Sequence, residues 1–95
     1  MRHGRIDANQ PYIVALLRKV PGVTVAVTSD LGKGFPDIAV GYEGGTFLFE
    51  IKDPDHPPSK RRLTPAEEKW HESWTGHVLT VTTFVAILET IGAVK

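Results

Sequence analysis

Cysteine is absent from the 95 residues, which excludes a disulfide framework and every thiolate metal site and makes a reducing cytoplasm the simplest home. Long apolar runs are missing too, and residues 1–10 are polar, with nothing like the hydrophobic stretch of a signal peptide. The expectation is a cytoplasmic chain without a membrane partner. Net charge is also lacking, because eleven Lys and Arg balance eleven Asp and Glu, so a polyanion would have to be met by local clusters. Four histidines are present, but His3, His56, His71 and His77 share no ligand spacing and are read as non-ligands.

What is there is ordinary for a folded domain: 41 % hydrophobic and 23 % charged residues. The chain is read as one domain, 1–95. A core this small gains from burying an apolar patch against a second copy, so a homodimer is expected. Two basic groups stand out, Arg2, His3 and Arg5 at the start, and Lys60, Arg61 and Arg62 further on.

Ile13, Leu16, Leu17 and Val20 recur at helical spacing over residues 9–20, with Pro11 in the first turn where its missing N–H is not needed. Pro21 and Gly22 stop that helix. Residues 23–28 predict a strand with Val23, Val25 and Val27 on one face. The segment Gly32-Lys33-Gly34 turns the chain, and residues 38–42 and 46–52 predict a hairpin joined through Glu43-Gly44-Gly45. Residues 53–59, with their prolines, predict a loop. Thr64 as N-cap, Pro65 at the first helical position and Glu67 at the capping-box position predict a helix to about Trp74, whose Trp70, His71 and Trp74 are expected to pack on the sheet. Residues 77–82 alternate valine and threonine as a fourth strand, and residues 84–91 predict a closing helix ended by Gly92. This α-β-β-β-α-β-α order defines a mixed α/β fold whose last strand joins the sheet by a crossover.

The informative feature is Pro36-Asp37 followed by Glu50-Ile51-Lys52. Strand alternation puts Phe47, Phe49 and Ile51 on one face and Thr46, Leu48, Glu50 and Lys52 on the other. Hairpin pairing then brings Asp37 close to Glu50 and Lys52 at the hairpin's open end. Two carboxylates held together repel unless a cation lies between them, and hard oxygen ligands suit Mg²⁺ or Mn²⁺. Mg²⁺ takes one or two carboxylates and keeps several waters, which leaves room for a phosphate oxygen and an attacking water. Lys52 beside it would orient or deprotonate that water and stabilise charge on the phosphorane.

An isolated Glu-x-Lys on a strand is more often a solvated ion pair. Here the Pro-Asp at hairpin distance, the glycine-rich approach, the apolar flanks and the downstream basic run give it meaning. Lys60, Arg61 and Arg62 follow the strand where a nucleic-acid backbone would pass, and Lys33 lies between glycines that let a backbone come near, so all four are expected DNA contacts. Ser29 and Thr64 have no histidine base nearby in sequence, and Gly32-x-Gly34 is too short for a nucleotide-binding loop.

Gly34-Phe35-Pro36-Asp37 with Phe49-Glu50-Ile51-Lys52 resembles the Pro-Asp…(Asp/Glu)-x-Lys nuclease superfamily, most closely its small VRR-NUC-like phage and prophage members, with Holliday-junction resolvases as wider relatives. Asp7-Ala8-Asn9-Gln10, the segment 62–67, His71, Trp74 and Gly76 extend the likeness over roughly residues 5–92. The resemblance implies a restriction-endonuclease-like sheet flanked by helices. It implies a Mg²⁺- or Mn²⁺-dependent DNA endonuclease, with branched or flapped DNA among the expected substrates, encoded by a phage or prophage in a bacterial host. It also implies a partner among helicases or packaging and recombination machinery. By it, Asp37, Glu50 and the Ile51 carbonyl hold the metal and Lys52 serves catalysis. Two departures stand out: Gln10, with Asn9 beside it, occupies the place of a helix glutamate ligand, and Glu67 occupies the place of a glutamine. The competing expectations are a non-catalytic nucleic-acid-binding module and a phage assembly protein that keep the same fold.

Overall fold

Alternating β-branched and aromatic residues in the middle of the chain form a sheet, and the apolar stripes at its two ends form helices that cover one face of it. A computed structural model describes residues 8–94. The basic group Arg2, His3 and Arg5, and Asp7, therefore lie outside the described residues. The elements run α1 (Gln10–Leu17), β1 (Val23–Val27), β2 (Ile38–Tyr42), β3 (Gly45–Ile51), α2 (Pro65–Ser73), β4 (Val78–Val81) and α3 (Phe84–Ile91). Short 3-10 turns occupy Ser29–Leu31 and Pro58–Lys60.

The sheet order is β1-β2-β3-β4, antiparallel across the first two junctions and parallel between β3 and β4. Parallel pairing of β3 with β4 requires the chain to cross over, and α2 lies within that connection. The β2–β3 turn has only Glu43 and Gly44 between paired Tyr42 and Gly45. Both turn residues have positive φ, +49° and +85°, the type I′ geometry whose twist suits a two-residue hairpin. That turn fixes the register, and the register decides which side chains share a face.

On one face, Val23, Ile38, Val40, Phe49, Ile51 and Val81 meet Ile13, Val14 and Leu17 of α1 and Ile87 and Ile91 of α3 in a single core. The opposite face carries Asp37, Glu50 and Lys52. Towards β1 that face is floored by Thr24, Ala26, Ala39, Gly41 and Thr46, side chains too short to fill it, which leaves an open depression of about 280 Å³.

Two details depart from the sequence reading. Helix α1 stops at Leu17 rather than Val20, because residues 18–20 turn back through Lys19 N–H to Leu16 O and Val20 N–H to Leu17 O, while Val20 still packs on the core. Helix α2 buries none of its residues, so Trp70, His71 and Trp74 do not pack into the sheet as expected. Instead Trp70 and Trp74 stack on each other at 4.7 Å and meet Phe35, in the loop before β2, edge-on at 4.9 and 6.5 Å. Gly34 makes that docking possible: with φ +84°, it lies where a Cβ would collide with the Ala66 carbonyl and the Glu67 nitrogen of α2.

Candidate active site

Ile38 pairs with Phe49, so Asp37, the residue before it, comes alongside Glu50, the residue after Phe49. Asp37 is locked at both ends of its peptide: its N–H donates to Phe49 O at 2.9 Å, and its carbonyl accepts from Thr28 N–H at 2.8 Å. Its side chain turns across the hairpin, where Oδ2 accepts from Ile51 N–H at 2.8 Å. The N–H and C=O of one strand residue point to the same side, so the Ile51 carbonyl also faces the end of β2 where Asp37 lies. Lys52 N–H donates to Val81 O at 2.9 Å, which ties the end of β3 to β4.

Asp37, Glu50 and Lys52 are all buried. Lys52 Nζ lies 3.6 Å from Glu50 Oε2 and 2.9 Å from Glu67 Oε1. The sequence reading brought the first three residues together, and the structure brings them together. It adds a third carboxylate from α2. Glu67 is the N3 residue of a complete capping box with Thr64. The capping pattern located Glu67 in the sequence, but its reach to Lys52 depends on how α2 docks.

Burial raises the carboxyl of Asp37, against the opposing pull of the Ile51 N–H. Glu50 is pushed up to about 10, first by burial, then by the charge of Asp37 and by Glu67 beside it. Burial acts to raise Glu67 as well, but the Thr64 N–H and Lys52 outweigh it and hold Glu67 below its usual value. Three acidic groups thus converge on one ammonium, and Glu50 is the one that cannot ionise unaided.

Three of the buried atoms left without partners lie at this same end of the sheet. Glu50 Oε1 is buried with no hydrogen bond, as are Gln10 Oε1 and Asn9 Oδ1. Gln10 Nε2 donates to Ser29 Oγ at 3.4 Å, and Asn9 Nδ2 reaches Lys52 O at 3.2 Å and Thr82 O at 3.3 Å. Asn9 therefore clamps the ends of β3 and β4, a role no sequence signal marked. Among the described residues, no group of three or more His, Cys, Asp and Glu is arranged to hold a metal ion. The oxygen set that is present, two carboxylates with neutral carbonyl and amide oxygens, fits a hard cation that keeps most of its water. Buried oxygens without donors are what such a cation would satisfy.

The expected DNA contacts are distributed differently. Lys60 and Arg62 are exposed on either side of half-buried Arg61, whose Nε is buried without a partner. Lys33 is exposed with φ +56°. The close approach that Gly34 permits is to α2, not to an outside backbone. Among the described residues, no helix is long and apolar enough to cross a membrane.

No protein-family model matches the chain, and neither a curated protein nor a solved structure matches it. The likeness to the nuclease superfamily therefore stands on the motif residues alone.

Proposed function

We propose that the protein is a metal-dependent endonuclease hydrolysing phosphodiester bonds in DNA, with Asp37, Glu50 and Lys52 as its working residues. The observation that carries this reading is the buried Asp37–Glu50 pair with Lys52 at 3.6 Å and an unpartnered Glu50 oxygen. Asp37, Glu50 and the Ile51 carbonyl would hold a Mg²⁺ or Mn²⁺ ion, with Gln10 adding a neutral oxygen. When bound, the ion supplies Lewis acidity and a water of lowered pKa. The chain's part is positional. Asp37 is fixed by Ile51 N–H, Lys52 is pinned by Glu67, and the ammonium is placed where it offsets negative charge developing on the phosphoryl oxygens. Lys60 and Arg62 would take the flanking phosphates, and Arg61 and Lys33 would extend the track. A homodimer, a helicase or packaging partner, and a phage or prophage origin belong to the same proposal.

Plasmid nicking with Mg²⁺ or Mn²⁺, and with EDTA, tests it. Nicking should need the divalent ion, vanish in Asp37→Ala and fall at least about a hundredfold in Lys52→Ala. Equal rates for wild type and Lys52→Ala would remove Lys52 from the mechanism, and no nicking of any linear, nicked, flap or four-way substrate would sink the reading.

One observation favours a second reading, a non-catalytic nucleic-acid-binding module: a neutral Gln10 stands where an acidic ligand would be expected, beside only two facing carboxylates on the sheet. Calorimetric titration with Mn²⁺ separates the two, because a module of that kind would take up no ion that Asp37→Ala abolishes.

A further inference from the structure

Helix α2 presents Glu67, Trp70, His71 and Trp74 along one face, the i, i+3, i+4, i+7 spacing of a single helical stripe. Glu67 ends at Lys52, while the other end of the stripe is aromatic. The Trp70 and Trp74 indoles lie 19° from parallel, and Phe35 supports both edge-on, two residues before Asp37. At Gly76, an added Cβ would come within 2.9 Å of Trp74 Nε1, so the following turn closes against the pyrrole end of the indole. One face of Trp74 is therefore stacked, its edges are braced, and the residue is still 43 % exposed. A large ring held this firmly and still this exposed is costly in water and is suited to receive another flat apolar group.

We propose that exposed Trp74 is a stacking platform for an unpaired base of single-stranded DNA next to the cutting site. The inference rests on the phosphodiesterase reading of the Asp37–Glu50–Lys52 cluster and narrows its substrate to DNA with an unpaired strand. Trp74 lies seven residues beyond Glu67, about 10 Å along the helix, a span of two or three nucleotides. At the other end of α2, exposed Lys60 and Arg62 supply cationic donors for the backbone of the same strand. Basic groups leading to a braced aromatic face are the pattern by which proteins hold single strands without reading their sequence. In a blunt duplex all but the two terminal pairs are stacked on both sides and offer no face to Trp74.

Trp70 and Trp74 are the chain's two tryptophans, so intrinsic fluorescence reports on the platform directly. The wild-type chain is titrated in EDTA, where no cutting occurs, with a short oligodeoxythymidylate and with a blunt duplex. Quenching by the single strand and not by the duplex is expected. Anisotropy of a labelled single strand should show about tenfold weaker binding by Trp74→Ala, with most of the loss restored in Trp74→Phe. Three results would overturn the proposal: no quenching by the single strand, equal affinity of Trp74→Ala and wild type, or an emission shift produced by raising protein concentration alone, which would mean that a second copy covers the indole. Quenching in a chain that nicks no DNA leaves the platform standing and removes the nuclease reading, while nicking without quenching does the reverse.

Discussion

Lys52 Nζ donates to Glu67 Oε1 at 2.9 Å, and that same oxygen accepts the Thr64 N–H at 2.8 Å. One carboxylate oxygen thus closes the N-terminus of α2 and holds the ammonium at the centre of the site. Helix geometry and lysine position are consequently set together. Glu67→Ala should cost about 2 kcal/mol, through loss of half the capping box and of a charge-assisted bond to a buried lysine. Glu67→Gln, which keeps an accepting oxygen, should cost clearly less. Urea unfolding followed by circular dichroism measures both, and equal costs would mean that the charge of Glu67, not its accepting oxygen, carries the stabilisation.

The protonation of Glu50 sets a pH dependence with a definite sign. Its folded value of about 10 lies above the ordinary 4.5, so between those values the folded chain keeps a proton that the unfolded chain has released, and stability falls as pH rises. Asp37 acts in the same direction, whereas Glu67, held low, contributes stability that is lost on acidification. In EDTA the melting temperature should therefore decline from about pH 6 to about pH 9. Glu50→Gln should flatten most of that slope. Mn²⁺ should flatten it too, because a bound cation replaces the proton. A wild-type melting temperature that rises over the same range would contradict the burial of an acidic Glu50.

The contact between Gly34 and α2 predicts a contrast within one short segment. Gly34 and Gly32 both have positive φ, +84° and +71°, but only at Gly34 does an added Cβ meet backbone, while at Gly32 nothing lies within 4 Å. Gly34→Ala should cost more than about 2 kcal/mol and separate Phe35 from the tryptophan pair, and Gly32→Ala about 1 kcal/mol from backbone strain alone. Thermal melts give the stabilities, and near-ultraviolet circular dichroism reads the aromatic stack.

Phosphate contacts leave a signature in salt. Lys60→Ala and Arg62→Ala should each lower the slope of log affinity against log salt by about 1 without changing which DNA is preferred. Lys33→Ala should do the same if the strand reaches the exposed face of the glycine turn. Filter binding over a salt series decides, and a slope unaltered by all three changes would place the DNA elsewhere.

Much of this arrangement could be read in the residues themselves, for local reasons. Gly44 enforces a two-residue turn, the turn fixes the β2–β3 register, and the register brings the end of β2, with Asp37 just before it, alongside Glu50. Thr64, Pro65 and Glu67 marked the start of α2, and Gly92, at φ +87°, marked the end of α3. What stayed hidden depends on docking between distant segments. An aromatic helix face looks the same in sequence whether it meets a sheet or a loop, so Trp70 and Trp74 gave no sign that Phe35 would receive them. Asn9 bonds to Lys52 O and Thr82 O across the whole chain, and no local pattern encodes such a clamp. The early stop of α1 was hidden because Val20 packs on the core from a turn as well as it would from a helix.

The hold of Val81 on the Lys52 amide has a consequence for how the protein folds. The hairpin carrying Asp37 and Glu50 pairs within one short stretch of chain, whereas the end of β3 is fixed by β4, which comes from a later segment. A folding chain can therefore have its acidic pair in place before the Lys52 backbone is tied down, and the grouping of the three residues is complete only once β4 has docked.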